Sequence, residues 1–212
     1  RGIEDTLHGS GYSLFLAASQ KDPEREREVV QAMSEKRVDG VILSSSRVSL
    51  ISLEQGVRYG IPSVLINNQA MWEPDRYSVY HNEVYAMNQV LQHVIGLGHK
   101  RIAFLGNSRG GRTTVERQHG FEEALTHVGI EINPDYIAFG ETGIPEGGAQ
   151  GMRKLLKLKK MPTAVVCHND MMAIGAIQAV HQAGLRVPED ISVTGFDNID
   201  LAAYINPPLT TF

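Results

Sequence analysis

Polar residues follow each of five short apolar runs in this sequence, and their side chains could together bind a small ligand. The last run, 191–194, leads to Asp197 and Asn198. The other four runs lead to Ser44–Ser46, Asn67–Asn68, Gly106–Ser108 and His168–Asp170. Carboxylates accept hydrogen bonds, whereas amides both donate and accept them. Any one of these residues is an ordinary turn former or helix cap, so only the recurrence of polar endings indicates a site.

A positively charged partner for these groups lies in a predicted helix. Arg117 is one turn before Phe121 on the apolar stripe of segment 113–126, which begins where a strand ends. Its stem could pack while its charged head reaches water. Alternatively, its guanidinium faces the polar endings and binds two hydroxyls or a carboxylate. Arg117, Asp197 and the amides suit a small polyhydroxylated ligand better than a lipid or a peptide.

No recognisable catalytic or metal-binding motif accompanies these residues. The glycine-rich stretch 106–113 lacks the spacing of a dinucleotide or phosphate loop, and no G-x-S-x-G is present. None of the eight histidines shows metal-ligand spacing, and Cys167 is the single cysteine. We therefore expect no enzymatic activity, no cofactor and no metal site.

An alternating pattern of strands and helices must bring the polar endings together. In segment 83–97, for example, Val84, Met87, Leu91 and Val94 recur at helical spacing. Short apolar runs between such segments are typical of an α/β fold with a parallel sheet, whose ligands bind beyond the carboxyl ends of the strands. The pattern predicts strands at 12–17, 38–43, 62–66, 101–105, 136–139, 163–166, 191–194 and 209–212. It predicts helices at 1–8, 24–36, 50–59, 83–97, 113–126, 145–158 and 169–182.

The polar and aromatic stretch 68–85 interrupts this alternation and is long for a βα connection. It predicts two doubly wound lobes, an N-terminal lobe at 1–80 and a C-terminal lobe at 81–204. Pro207 and Pro208 predict a return crossover at 205–212, because consecutive prolines cannot continue a helix. We expect the chain to be cut at both ends, since no strand precedes the first helix and the last strand stops as it begins.

The composition argues against two classes of partner. The net charge is −4 and the pI is about 6.1, so the chain lacks the basic character of a nucleic-acid-binding domain. No apolar run reaches the length of a membrane helix. A single free cysteine favours a reducing compartment, and we expect a cytoplasmic protein with no membrane partner.

Several motifs resemble the lactose-repressor/galactose-repressor (LacI/GalR) family of transcription regulators across essentially the whole chain. They are GHKRIAFLGN at 98–107, R-x-x-G-F at 117–121, PTAVVCHNDMMAIGA at 162–176, GLRVPEDISVTGFDN at 184–198 and NPPLTT at 206–211. The resemblance implies a periplasmic-binding-protein-like effector domain of two lobes joined by three crossovers. It also implies a homodimer that binds operator DNA through a helix-turn-helix domain outside this chain.

The resemblance assigns effector binding residue by residue. Arg117, Asn169 and Asp197 match the effector-binding positions of the family motifs. Asn67 stands where many members have aspartate, and Thr142 stands where many have an aromatic residue. Ser44 completes the predicted set of contacts. The effector implied is a sugar, a related polyol or a nucleobase.

Three functions are compatible with these observations. The motifs favour the effector-binding domain of a LacI-type regulator, in most cases a repressor, which acts by allostery. A periplasmic sugar-binding protein of an ABC transporter would have the same fold. An α/β enzyme, such as a nucleotide-sugar enzyme, would need a catalytic pair that the sequence does not reveal.

Overall fold

The computed structural model of the chain describes residues 2–19, 22–44, 59–66 and 77–212. The chain divides into two compact units, 1–80 and 81–212. That these units are the two lobes predicted from the sequence, with a boundary at residues 80 and 81, stays a prediction. No helix among the described residues is long and apolar enough to cross a membrane.

In the described part of the first unit, three strands form a parallel sheet in the order β1-β2-β3. Its strands are β1 (Val41–Ser44), β2 (Ser63–Ile66) and β3 (Tyr77–Val79), and its helices are α1 (Gly2–Leu7) and α2 (Pro23–Glu35). Helix α2 begins as its sequence predicts, because the Asp22 side chain accepts a hydrogen bond from the Glu24 amide at 3.0 Å. Strand β3 falls inside the stretch that we interpreted as a passage between lobes, so the sequence did not predict it.

The predicted strand at 12–17 is wrong. Residues 12–19 have no regular secondary structure, and Tyr12, Phe15 and Leu16 are exposed. An apolar run becomes a strand only when a neighbouring strand satisfies its backbone hydrogen bonds, and none of the described strands pairs with this segment. The predicted helix at 50–59 lies outside the described residues except for Tyr59, which is in a turn.

The second unit contains a parallel sheet of five strands in the order β5-β4-β6-β7-β8. The strands are β4 (Ile102–Asn107), β5 (Ile137–Gly140), β6 (Ala164–Cys167), β7 (Ser192–Gly195) and β8 (Thr210–Thr211). The helices are α3 (Glu83–Gly96), α4 (Arg112–His127), α5 (Pro145–Leu155) and α6 (Asp170–Gln182), with 3-10 turns at Pro134–Tyr136 and Asp200–Ala203. The predicted α/β class with parallel sheets is confirmed.

Helices cover both faces of this second sheet, and alternate strand residues supply both cores. On one face α3 and α4 pack with Phe104, Ala164 and Val166. On the other face α5 and α6 pack with Val165 and Cys167. Every strand residue from Ala164 to Cys167 is buried, which is why β6 reads as a continuous apolar run and not as an alternating one.

The order of the strands locates the crevice in which ligands of such sheets bind. Strand β4 is followed by helix α4 on one face, and its neighbour β6 is followed by helix α6 on the other face. The two connections therefore diverge and leave a crevice at the carboxyl ends of β4 and β6. Residues 205–212 belong to this unit, and Thr210 and Thr211 pair with β7. A crossover that continues from them stays a prediction.

Candidate functional site

Arg117 lies at the carboxyl edge of the second sheet and is almost entirely buried, with 4% of its surface exposed. Helix α4 places it there because Arg117 shares a buried face with Phe121 and Leu125. This burial excludes the interpretation in which the charged head of Arg117 extends into water. It favours the one in which the guanidinium faces the polar endings of the strands.

The Arg117 guanidinium contacts four residues in the part of the chain that the structure describes. Nε donates a hydrogen bond to Glu83 Oε2 at 2.8 Å, and Nη1 donates to the His168 carbonyl oxygen. Nη2 lies 3.4 Å from Asp197 Oδ1. The guanidinium carbon lies 3.6 Å from the centroid of the Phe196 ring. Ion pairing, hydrogen bonding and cation–π attraction together offset the large cost of burying a charge.

Asp197 presents a carboxylate beside this guanidinium. Its side chain is 45% exposed, and its backbone adopts a φ of 110°, which is unfavourable for a residue with a Cβ atom. Burial raises the pKa of Asp197, the Arg117 charge opposes that rise, and the nearby carboxylates of Asp170 and Glu83 add to it. This strained backbone conformation places the Asp197 carboxylate beside the Arg117 guanidinium.

Asp170 fixes the loop that carries Asp197. It is completely buried, and it accepts hydrogen bonds from Thr211 Oγ1 at 2.5 Å and from the Ile199 amide at 2.9 Å. The Asp197 amide in turn donates to the Phe212 carbonyl oxygen at 2.9 Å. These hydrogen bonds connect the segment after β7 to helix α6 and to the residues around β8. They therefore fix the position of the Asp197 backbone.

Asn169 is the N-cap of helix α6. Its Oδ1 accepts a hydrogen bond from the Met172 amide at 2.8 Å, and its Nδ2 donates to the Gly143 carbonyl oxygen at 3.0 Å. The ordinary capping role considered for this residue is therefore present. One Nδ2 hydrogen has no partner in these contacts and is the part of Asn169 that could meet a ligand.

The other predicted contacts divide among three places. Thr142 is half-buried in the turn after β5, beside the Gly143 that Asn169 holds. Ser44 ends β1 in the first unit. Asn67 lies outside the described residues. Of the predicted set, the structure brings Arg117 and Asp197 into direct contact and places Asn169 next to His168, whose carbonyl Arg117 binds.

Sequence reasoning missed two partners of Arg117, Glu83 and Phe196, and it named His168 only as one of the polar endings after a strand. Glu83 follows the helix cap Asn82, so from the sequence it looks like an acid placed to favour the positive end of a helix. The structure buries it 2.8 Å from Arg117 instead. His168 is buried, and burial together with the Arg117 charge lowers its pKa to about 3. Its imidazole is therefore neutral near pH 7.

This arrangement can bind a ligand. The buried Thr114 hydroxyl lies 3.5 Å from His168 Nδ1 and donates a hydrogen bond to the Asn107 carbonyl oxygen at 2.9 Å. Among the described residues, no group of three or more His, Cys, Asp or Glu side chains could hold a metal ion. A serine–histidine contact, Ser192 Oγ to His99 Nε2 at 3.2 Å, lies at the opposite edge of the sheet, where β7 begins. The other nitrogen of His99 lies 2.9 Å from Thr163 Oγ1, so the ring joins the starts of two strands.

Comparison with known proteins shows similarity to a periplasmic binding protein-like domain and to transcription regulators. Residues 91–212 match the family model of the periplasmic binding protein-like domain. The chain is 35% identical over 216 aligned positions to the HTH-type transcriptional repressor PurR of Aliivibrio salmonicida (strain LFI1238). That alignment covers 99% of this chain and 63% of the repressor, so the chain spans less than two thirds of its curated relative.

Solved structures share the fold over nearly the whole chain. A sugar-binding transcriptional regulator of the LacI family from Escherichia coli, complexed with phosphate, matches with a TM-score of 0.86 and 31% identity. This match covers 99% of this chain and 75% of that one. The transcriptional regulator CelR, in complex with cellobiose, matches with a TM-score of 0.90 and 27% identity, over 99% of this chain and 64% of that one.

Proposed function

This chain belongs to the LacI/GalR family of transcription regulators, and we propose that it is the effector-binding domain of a DNA-binding repressor. The observation that supports the proposal is the contact between Arg117 and Asp197 at the carboxyl edge of the second sheet. Buried partners hold the Arg117 guanidinium in place while the Asp197 carboxylate beside it is half-exposed, so the pair can present donors and an acceptor to a small ligand.

The groups of this site fit a small polar effector. A guanidinium has five N–H donors, and the contacts with Glu83, His168 and Asp197 use three of them. The two remaining donors and the second Asp197 oxygen match a pair of neighbouring hydroxyls or the polar edge of a nucleobase. Asn169 and Thr142 would contribute from the adjoining turns, and the effector-binding roles of Ser44 and Asn67 stay predictions. The cellobiose bound by one structural neighbour is a ligand of this class.

DNA binding would reside in a segment outside this chain. The net charge of −4 does not suit a polyanionic partner, and the chain spans 63% of the PurR repressor that it resembles. The effector would shift an equilibrium between two conformations of the protein that bind operator DNA with different affinity. Because DNA is the target, the protein would act in the cytoplasm.

The protein would act as a homodimer, and one surface of the second unit suits that assembly. Leu201 and Tyr204 are 47% and 84% exposed. The neighbouring Ile205 lines a shallow groove of about 440 Å³ together with Ile174 and Ile177. Exposed apolar patches of this kind mark contact surfaces, and a two-fold dimer would cover the same patch on both subunits. Tyr204→Asp should then yield a monomer by light scattering, whereas the exposed Tyr85→Asp should not.

The proposal is tested on the intact protein with a thermal-shift screen of sugars, polyols and nucleobases. We expect at least one compound to stabilise the wild type and to change operator affinity at fixed salt concentration. A compound that binds tightly without changing operator affinity would contradict the regulatory role. Turnover of any compound by the pure protein would favour the enzyme alternative.

A further inference from the structure

The charges around Arg117 do not balance. Its guanidinium provides one positive charge, while Glu83 lies 2.8 Å from Nε and Asp197 lies 3.4 Å from Nη2. The buried carboxylate of Asp170 adds a third negative charge close enough to influence Asp197. His168 adds no positive charge near pH 7, since its pKa is lowered to about 3 by burial and by Arg117. The described part of the site is therefore negative overall.

Glu83 is the residue that sets this balance. Its side chain is 8% exposed, compared with 45% for Asp197, so water screens it poorly. It occupies the Nε side of the guanidinium, which is one of the two edges at which a carboxylate or phosphate can make a two-point contact, while the His168 carbonyl and Asp197 contact the Nη1 and Nη2 groups of the other edge. A ligand anion would have to displace Glu83 from Arg117, or bind beside Asp197 with like charges in contact.

The imidazole of His81 is the other titratable group near Glu83. Its Nδ1 lies 3.8 Å from Glu83 Oε1, and its side chain is 68% exposed. The experiments below are therefore all done at one fixed pH, so that the contribution of His81 is the same in every comparison.

We propose that Glu83, together with Asp197, makes this site select electrically neutral or cationic effectors and reject phosphorylated or carboxylated ones. The inference rests on the proposed effector-binding function and narrows its ligand class. Neutral polyhydroxyl compounds and nucleosides fit the two remaining guanidinium donors and the free Asp197 oxygen. Sugar phosphates and nucleotides carry the same hydroxyls, but they add the charge that the site repels.

Inorganic phosphate is the first probe, because its use does not depend on knowing the effector. Thermal unfolding of the intact protein is followed with increasing phosphate, and sodium chloride of equal ionic strength is the reference. We expect no saturable shift for the wild type. The double variant Glu83→Gln/Asp197→Asn should bind phosphate at least about tenfold more tightly than the wild type, since it removes two like charges beside a buried guanidinium.

A matched control variant separates this local effect from net charge. Glu123→Gln/Asp135→Asn removes the same two charges at exposed positions of the same unit and should leave phosphate binding unchanged. Saturable phosphate binding by the wild type that is lost in Arg117→Met would overturn the inference. A Glu83→Gln/Asp197→Asn variant that folds and gains no phosphate affinity would overturn it as well.

Matched ligand pairs give the second arm: ribose with ribose 5-phosphate, glucose with glucose 6-phosphate, and adenosine with its monophosphate. In titration calorimetry, the neutral member of any pair that binds should have a dissociation constant at least about tenfold lower than that of its phosphorylated counterpart. Tighter binding of the phosphorylated member would refute charge selection and leave the proposed function standing. If none of these compounds and no compound of the wider screen binds, the proposed effector function is wrong. The experiment with inorganic phosphate still decides whether Glu83 and Asp197 exclude anions.

Discussion

The guanidinium of Arg117 lies over the ring of Phe196, with its central carbon 3.6 Å from the ring centroid. Phe196 immediately precedes Asp197, so one short segment provides both the surface on which the guanidinium rests and a carboxylate at its edge. This relationship explains how a charged side chain can be held in one orientation beside a half-exposed carboxylate. The predictions below concern the groups that hold it and the groups that it could present to a ligand.

Asp197→Asn should weaken binding of the strongest hit from the effector screen by about ten- to a hundredfold, or ~1.5–3 kcal/mol. The amide replaces an acceptor-only group and removes its charge. The fold should be unaffected, because this side chain is 45% exposed and burial already disfavours its charged form by raising its pKa. Calorimetric titration measures the affinity, and the exposed Asp200→Asn nearby is the control. Equal affinity in wild type and Asp197→Asn would exclude Asp197 from the site.

Arg117→Met should lower the free energy of unfolding by roughly 3–5 kcal/mol, because it leaves the buried Glu83 carboxylate without its partner. Adding Glu83→Gln should restore part of the loss, since the unpaired charge is then removed. Urea denaturation of the single and double variants measures both effects. Arg112 pairs with Glu116 at 2.7 Å on an exposed surface, so Arg112→Met should cost at most about 1 kcal/mol. Equal costs at the two arginines would contradict the buried ion pair.

Asn169 should have separable roles in folding and in binding. Asn169→Ala removes the cap of helix α6 and should cost ~1 kcal/mol of stability. Asn169→Ser keeps an oxygen that can cap the helix, so it should recover most of that stability. It lacks the amide N–H groups, so ligand affinity should remain reduced in both variants. Full recovery of affinity in Asn169→Ser would show that this residue acts on the helix alone.

His168 should make the protein less stable in acid. Its pKa falls from an ordinary value of 6.5 to about 3 in the folded chain, so the unfolded chain binds an additional proton between these values. The stability contributed by the neutral imidazole is complete above pH 6.5 and is lost as the pH falls toward 3, by ~1.4 kcal/mol per pH unit within this window. Burial also lowers the pKa of His99, so this residue likewise lowers the stability of the folded chain as the pH falls.

Denaturation of His168→Gln beside the wild type at pH 5 and pH 7 isolates this contribution, because the other titrating groups are common to both proteins. The hydrogen bond from Arg117 survives in the variant, since it goes to the backbone carbonyl of residue 168. The variant should lose less stability than the wild type between the two pH values. An identical loss would mean that the imidazole is protonated in the folded protein.

The sequence by itself determined the family, the α/β class and most elements of the second unit. Helices α3 to α6 were predicted because apolar residues at helical spacing, in segments that alternate with short apolar runs, are local signals. It also predicted that Arg117 and Asp197 lie together, since the ends of parallel strands share one edge. The roles of Arg117, Asn169, Asp197, Asn67, Thr142 and Ser44 in binding remain predictions.

Only the tertiary structure decided which groups surround Arg117. Glu83 is 34 residues away in the sequence, and its pairing with Arg117 depends on how α3 packs against α4. The same holds for segment 12–17, whose apolar pattern predicts a strand that forms only where a partner strand is present. Periodicity and capping depend on residues a few positions apart, so a sequence displays them. Ion pairs, cation–π contacts and strand pairing depend on distances in space, which are set when the elements pack.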